Sequence, residues 1–268
     1  MIVSKAERAG TYLVLGVFTV FALYPLVAIL GTALRSEVAG RGGVHWENFG
    51  KAWAEARFGS YLLSSVIVSV SVVALTVLLS VLAAYAFGTM RFRGREALFY
   101  LMLLGLTVPG EAVVVPLYFD LRDLGLTDTY ASLIFPQVAQ SVAFGAFWMR
   151  TYFRSTERGI VEAARLDGAG HWRTLWRVLV PMGRPALVTL VVLVFMWTWN
   201  EFLLARVMIV SEPLRTAPLG LQFFSGKETT SVPLLAAASV LVALPVVVLY
   251  LFLQRHFIRG MVDGSVKG

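Results

Sequence analysis

Six stretches of this chain are long and apolar enough to cross a lipid bilayer: 11–33, 61–88, 98–119, 131–149, 186–210 and 232–253. About 20 apolar residues in a helix are needed to span a hydrocarbon core roughly 30 Å thick. The stretch from Leu62 to Met90 carries no charge and is far too long for a strand, although it is rich in β-branched residues. Burial of all six inside a soluble core would leave almost nothing to face water. The chain is 58% hydrophobic and 15% charged, against about 45–50% and about 25% in ordinary soluble domains. The sequence therefore predicts an all-α integral membrane protein with six transmembrane helices.

Basic residues mark the cytoplasmic side of such a protein. Fifteen Lys and Arg fall on the N-terminal segment, the second and fourth connections and the C-terminal tail, whereas seven fall on the opposite connections. Both termini are expected in the cytoplasm, and the net charge of +7 needs no nucleic acid to explain it. The 23-residue apolar run at 11–33 exceeds the 7–15 residues of a cleaved signal. It reads as a retained first span, bent at Pro25.

The most specific segment is the fourth connection, 150–185. Ser155 or Thr156 can cap a short helix, with Glu157 in its first turn. Ile160, Ala163, Ala164 and Leu166 give it a modest apolar face, and Gly168 with Gly170 suits its C-terminal stop. A second helix is expected from His171. Its stripe is Trp172, Leu175, Trp176 and Leu179, and Pro181 and Pro185 end it. Small residues on a projecting helix allow another backbone to approach closely, which suits a groove on a partner. A solvated connecting helix is the alternative.

Here the chain resembles a known family, the permease subunits of bacterial ATP-binding-cassette importers of the carbohydrate type. Glu162, Ala163, Ala164 and Gly168 match that family's loop pattern, with Val178 and Val180 as conservative replacements ahead of Pro181. Leu166-Asp167-Gly168-Ala169 is similar to the sugar-importer version. Further likeness lies in Ala84-Tyr85-Ala86-Phe87, Pro109-Gly110, Trp199-Asn200-Glu201-Phe202 and the tail from Gln254. The resemblance implies one importer transmembrane domain over 1–268, with its core at 61–253 and a tail at 254–268. It implies that 156–170 is a cytoplasmic coupling helix between spans four and five. Glu162, Ala163, Ala164, Leu166, Asp167, Gly168 and Pro181 would serve ATPase coupling. The implied partners are a second permease subunit, two ATPase subunits that bind the ATP, and an extracytoplasmic solute-binding protein. The implied cargo is a sugar or related polyol, and the implied location is the bacterial inner membrane.

Ionisable residues inside a membrane are expensive and invite a functional reading. Asn200 and Glu201 lie just past the middle of span five, where they line a pathway or join two helices. Arg206 lies deeper along the same span and can snorkel. Glu111 sits between Pro109-Gly110 and Pro116, so span three is expected to break there beside the path. Gln137 and Gln140 flank the centre of span four, and Gln137 joins Glu111, Asn200 and Glu201 as a pathway candidate. Ser64, Ser65, Ser69 and Ser71 read as helix-packing residues.

The chain lacks a P-loop, a His-Glu-x-x-His and a Gly-x-Ser-x-Gly, and it has no Cys. No catalysis, metal or cofactor is expected in it. The rival function, an ion-gradient-driven secondary transporter, predicts inverted repeats and a midplane cation site. Neither is visible in the sequence.

Overall fold

A computed structural model describes residues 5–37, 42–55, 57–155, 158–225 and 231–265. These residues are overwhelmingly helical, and no β-sheet occurs among them. The helices are α1 (Lys5–Ala33), α2 (Glu47–Glu55), α3 (Phe58–Thr89), α4 (Arg95–Leu104), α5 (Gly110–Asp123) and α6 (Tyr130–Ser155). They continue with α7 (Arg158–Leu166), α8 (His171–Met182), α9 (Arg184–Trp199), α10 (Leu203–Met208) and α11 (Val232–Ser265). Thr156 and Glu157, two of the expected N-terminal residues of α7, lie outside the described residues.

Three helices are individually long and apolar enough to cross a membrane: Glu7–Ala33, Phe58–Thr89 and Val232–Gln254. Two further crossings are available if each bent pair counts as one. The predicted stretch 131–149 forms most of α6, whose Pro136, Gln137 and Gln140 dilute its apolar character. Span three breaks as expected. Arg95–Thr107 and Gly110–Asp123 meet at 97°, with Pro109 extended at the start of α5. Proline has no N–H and disfavours a helical residue before it, so the ladder ends there. Pro116 is accommodated within α5.

Three expectations need correction. Span five is not continuous over 186–210, because α9 stops at Trp199 and α10 restarts at Leu203. Asn200 donates its side-chain amide to the Met196 carbonyl at 2.8 Å, and Glu201 accepts the Leu204 N–H at 2.6 Å. Each side chain thus satisfies a helix end, and the continuous ladder is replaced by two caps. Second, Pro181 does not end α8. The helix widens to a π turn over Leu175–Leu179, where the Val180 N–H reaches the Leu175 carbonyl. It then runs on to Met182, and the break falls at Gly183. Third, the connection 34–60 holds a helix, α2, absent from the sequence reading.

The chain divides into two compact units. The first comprises Met1–Gly59 and Gly220–Leu244. In it, buried Asn48 on α2 donates to the carbonyls of Ala33 and Arg35, both at 2.8 Å, and so satisfies the end of α1. Glu37 accepts from Lys51 at 3.0 Å and from Ser231 at 3.1 Å. The apolar side chains of α1 from Tyr12 to Leu30 are exposed.

The second unit comprises Ser60–Leu219 and Pro245–Gly268 and holds the main core, built around Val72, Val81, Met149, Leu179, Leu190 and Met208. Helices α3 and α6 pack closely enough that a Cβ on Gly145 would stand 2.2 Å from the Ser80 hydroxyl. Small residues permit such contact in membrane bundles. The serine reading of α3 holds for its N-terminal half. Ser64 donates to the Pro213 carbonyl at 3.1 Å, and Ser65 accepts the Ala217 N–H at 2.8 Å.

One buried charge escaped the sequence reading. Arg150 counts there only among the basic residues of the cytoplasmic side, yet it is 5% exposed. Its Nη2 donates to Glu96 at 2.6 Å, its Nε donates to the Phe87 carbonyl at 3.1 Å, and its guanidinium lies 3.7 Å from the Phe99 ring centre. A buried guanidinium needs such pairing. The Arg150 side chain therefore ties α3, α4 and α6 together.

Asp128 performs a similar task in the turn between α5 and α6. It adopts φ 55 and accepts the N–H groups of Val210 and Ser211 at 2.9 and 2.8 Å, together with the Ser211 hydroxyl. The Ser211 donors hold its carboxyl below the usual aspartate range. Such a group stabilises the fold fully above the ordinary carboxyl pKa of about 4, and the stabilisation is lost as pH falls through the depressed native value. Acidification from about pH 5 to about pH 3 is expected to lower the melting temperature of the detergent-solubilised protein, and less steeply in Asp128→Asn. Equal acid slopes in the two proteins would show that Asp128 contributes nothing.

Candidate functional site

The loop helix α7 is nine residues long. Asp167 closes its ladder through an N–H bond to Ala163 at 3.0 Å. Gly168 then turns the chain at φ +76, and the Ala169 N–H reaches back to the Ala164 carbonyl at 2.9 Å. This six-to-one bond is the Schellman arrangement, which needs a left-handed residue and favours glycine. Glycine at 168 is thus explained locally. Its surroundings add something else: a Cβ there would find nothing within 4 Å.

The two faces of α7 differ from the sequence reading. Val161 packs on the core and Ile160 is half-buried. Glu162, Ala163, Asp167 and Gly168 are exposed, and Ala164 is half-buried. Leu166, expected on the apolar face and among the coupling residues, is 89% exposed. The helix is rotated so that Val161 takes the inward place, which turns Leu166 outward. Thus α7 offers an apolar side chain, a carboxylate and a bare glycine on the side away from its own core.

Helix α8 seats below it. Leu175 and Leu179 are buried, Trp176 is partly buried, and Trp172 is 67% exposed with its ring 5.6 Å from that of Trp176. The regular stripe slips because the π turn adds a residue to one turn. Past Met182 the chain bends by 79° into α9. A side chain at Gly183 would be crowded at this elbow, since a Cβ would lie 3.0 Å from the Leu179 carbonyl and 3.3 Å from the Tyr152 ring. Pro181 lies within α8, exposed, two residues before the elbow.

The pathway candidates are placed but not gathered by their hydrogen bonds. Glu111 is exposed in the first turn of α5. Its neighbour Gly110 lies against α6, where a Cβ would stand 2.9 Å from the amide nitrogen of Gln140. Gln137 donates to the Leu133 carbonyl one turn back at 2.8 Å. Asn200 and Glu201 bond to backbone on either side of their break, so neither of these bonds joins separate spans. Among the described residues, no three His, Asp or Glu side chains are grouped to hold a metal ion.

A helical bundle with long charge-poor helices and two bent helix pairs defines a multi-pass membrane protein. The comparisons specify it further. Residues 77–263 match the model of the binding-protein-dependent transport system inner membrane component family. The probable ABC transporter permease protein YurM of Bacillus subtilis is 39% identical over 224 residues, 84% of this chain and 74% of that protein. The trehalose transport system permease protein SugB of Mycobacterium tuberculosis is 30% identical over 272 residues, 98% of this chain and 99% of that protein. A crystal structure of a bacterial ABC transporter that imports the acidic polysaccharide alginate superposes with a TM-score of 0.80 at 25% identity, over 96% of this chain and 99% of that chain. This chain belongs to the family of inner-membrane permease components of binding-protein-dependent transport systems. It is a multi-pass membrane protein and a permease of the ATP-binding-cassette importer type, and the ion-driven alternative is not favoured.

Proposed function

We propose that this chain crosses the inner membrane six times, keeps both termini in the cytoplasm, and pairs with a second permease subunit to import a sugar or related polyol. The curated relative that transports trehalose and the solved importer of alginate support carbohydrate as cargo. In this reading, an extracytoplasmic binding protein delivers the substrate and two ATPase subunits bind and hydrolyse the ATP. Helix α7 is the coupling helix. The observation that carries the reading is the outward face of α7, with Leu166 at 89% exposure beside a Gly168 that has open space around it. An apolar side chain held in water next to a bare backbone fits a cleft on a partner.

Closure of the ATPases on ATP would move α7 as a rigid body, and the bundle would alternate between inward-open and outward-open forms. Glu162 would offer its carboxylate to a basic group in the cleft, and Ala163, Ala164 and Asp167 would line the contact. Glu111, Asn200 and Glu201 stand at breaks in the bundle, and Gln137 lies within α6. Irregular backbone at membrane depth belongs where it is buried or lines a cavity, so Glu111, Asn200 and Glu201 are pathway candidates, joined by Gln137 as an intramembrane polar residue. The chain itself would hold no cofactor.

The test is purification of the tagged chain from native membranes, followed by reconstitution. We expect a Walker-motif ATPase and a second permease to accompany it, and uptake of labelled oligosaccharide to require both ATP and the binding protein. Accumulation by this chain alone under an ion gradient would overturn the proposal.

A further inference from the structure

Helix α8 is attached to membrane helices at both ends through tyrosine hydroxyls. At its start, His171 Nδ1 lies 2.9 Å from the hydroxyl of Tyr85, which belongs to α3 and is 6% exposed. The two rings meet edge to face with centres 6.1 Å apart. At its other end, Tyr152 of α6 donates to the Met182 carbonyl at 2.6 Å. One turn earlier on α6, Trp148 donates to the Ala186 carbonyl at 3.0 Å, just beyond the elbow. Between these points α8 is held by the buried side chains of Leu175 and Leu179.

The two kinds of contact transmit motion differently. Apolar packing is non-directional, so a helix held by it alone can rotate or slide. A hydrogen bond fixes a donor against an acceptor within a narrow range of distance and angle. α8 follows α7 after only the turn through Gly168 to Gly170. A displacement of α7 therefore enters α8 at His171. It can leave toward α3 through Tyr85 and toward α6 through Tyr152. Just past the elbow, the Trp148 bond to the Ala186 carbonyl ties the start of α9 to α6 as well.

We propose that Tyr85 and Tyr152 are positioning residues of the transport cycle, whose hydroxyls carry movement of α7 through α8 into α3 and α6. This rests on reading α7 as the coupling helix. The experiment uses the complete importer in proteoliposomes, with ATP hydrolysis and substrate uptake measured in the same vesicles. Tyr85→Phe and Tyr152→Phe each remove one oxygen and keep the ring. Both variants are expected to assemble and to hydrolyse ATP at the wild-type rate, while substrate moved per ATP falls roughly fivefold, as for loss of one net hydrogen bond. The double variant is expected to multiply the two losses because separate bonds act independently. Adding His171→Leu to Tyr85→Phe is expected to change nothing further, since both remove one bond. Unchanged transport per ATP in both tyrosine variants would overturn the proposal, as would a proportional fall in uptake and hydrolysis. Gly168→Trp is the discriminating control. If it uncouples and the tyrosine variants do not, only this inference fails. If it has no effect, the coupling-helix reading fails with it.

Discussion

Gly168→Trp is expected to insert, fold and pair normally, yet to reduce ATP-driven uptake to background. The turn at φ +76 disfavours any side chain by about 1–2 kcal/mol, a modest cost for a bundle of this size. Within the chain the new Cβ meets nothing, because it has open space to 4 Å. The large effect is expected from outside, where an indole would occupy the space that we assign to the ATPase cleft. Gly168→Ala separates the two causes. It carries the same backbone strain with little bulk, and it is expected to retain much of the uptake. Uptake by vesicles, normalised to the amount of assembled complex, checks both variants. Wild-type uptake by the Trp variant would remove the reason for placing a partner at this turn.

Gly145→Leu is expected to fail at an earlier stage. A Cβ on Gly145 would lie 2.2 Å from the Ser80 hydroxyl, 2.8 Å from its Cβ and 3.3 Å from a methyl of Leu190. The hydroxyl can rotate away, but the Ser80 Cβ moves only if α3 moves. Ser80 and Leu190 are both fully buried, so no empty volume receives the displaced atoms. Overpacking of this kind costs about 1–3 kcal/mol for added methylenes in ordinary cores. Three added carbons beyond a clashing Cβ place this variant at or above the upper end. The measurement is the yield of monodisperse protein in detergent and its melting temperature. Gly88→Ala is the matched control, because its Cβ would make an ordinary 3.6 Å contact with Phe153. Equal melting temperatures for Gly145→Leu and the wild type would mean that α3 and α6 do not pack this closely.

The sequence alone determined which segments are apolar enough to sit in a membrane, because transfer of a helix into lipid depends on composition summed over about 20 residues. It also determined the break at Pro109, since a missing N–H is a property of the residue itself. The stop at Gly168 was legible for the same kind of reason, as a left-handed turn favours glycine wherever it occurs. The break at Asn200 was not legible. In a hydropathy profile Asn200 and Glu201 are two polar residues in an apolar run, and only the folded backbone shows that they cap two separate helices. Pro181 misled because an isolated proline rule ends the helix, whereas a π turn before it accommodates the ring and moves the bend to Gly183.

Burial belonged to tertiary structure altogether. Arg150 reads as one more cytoplasmic charge until Glu96, 54 positions away, and the Phe87 carbonyl are placed around it. On α7, Val161 takes the inward place and leaves Leu166 in water, a division that the sequence pattern of apolar residues did not make. Local chemistry specifies what a segment can form, but the side that faces inward depends on which neighbours compete for the same space. That competition is settled only when the helices are packed together.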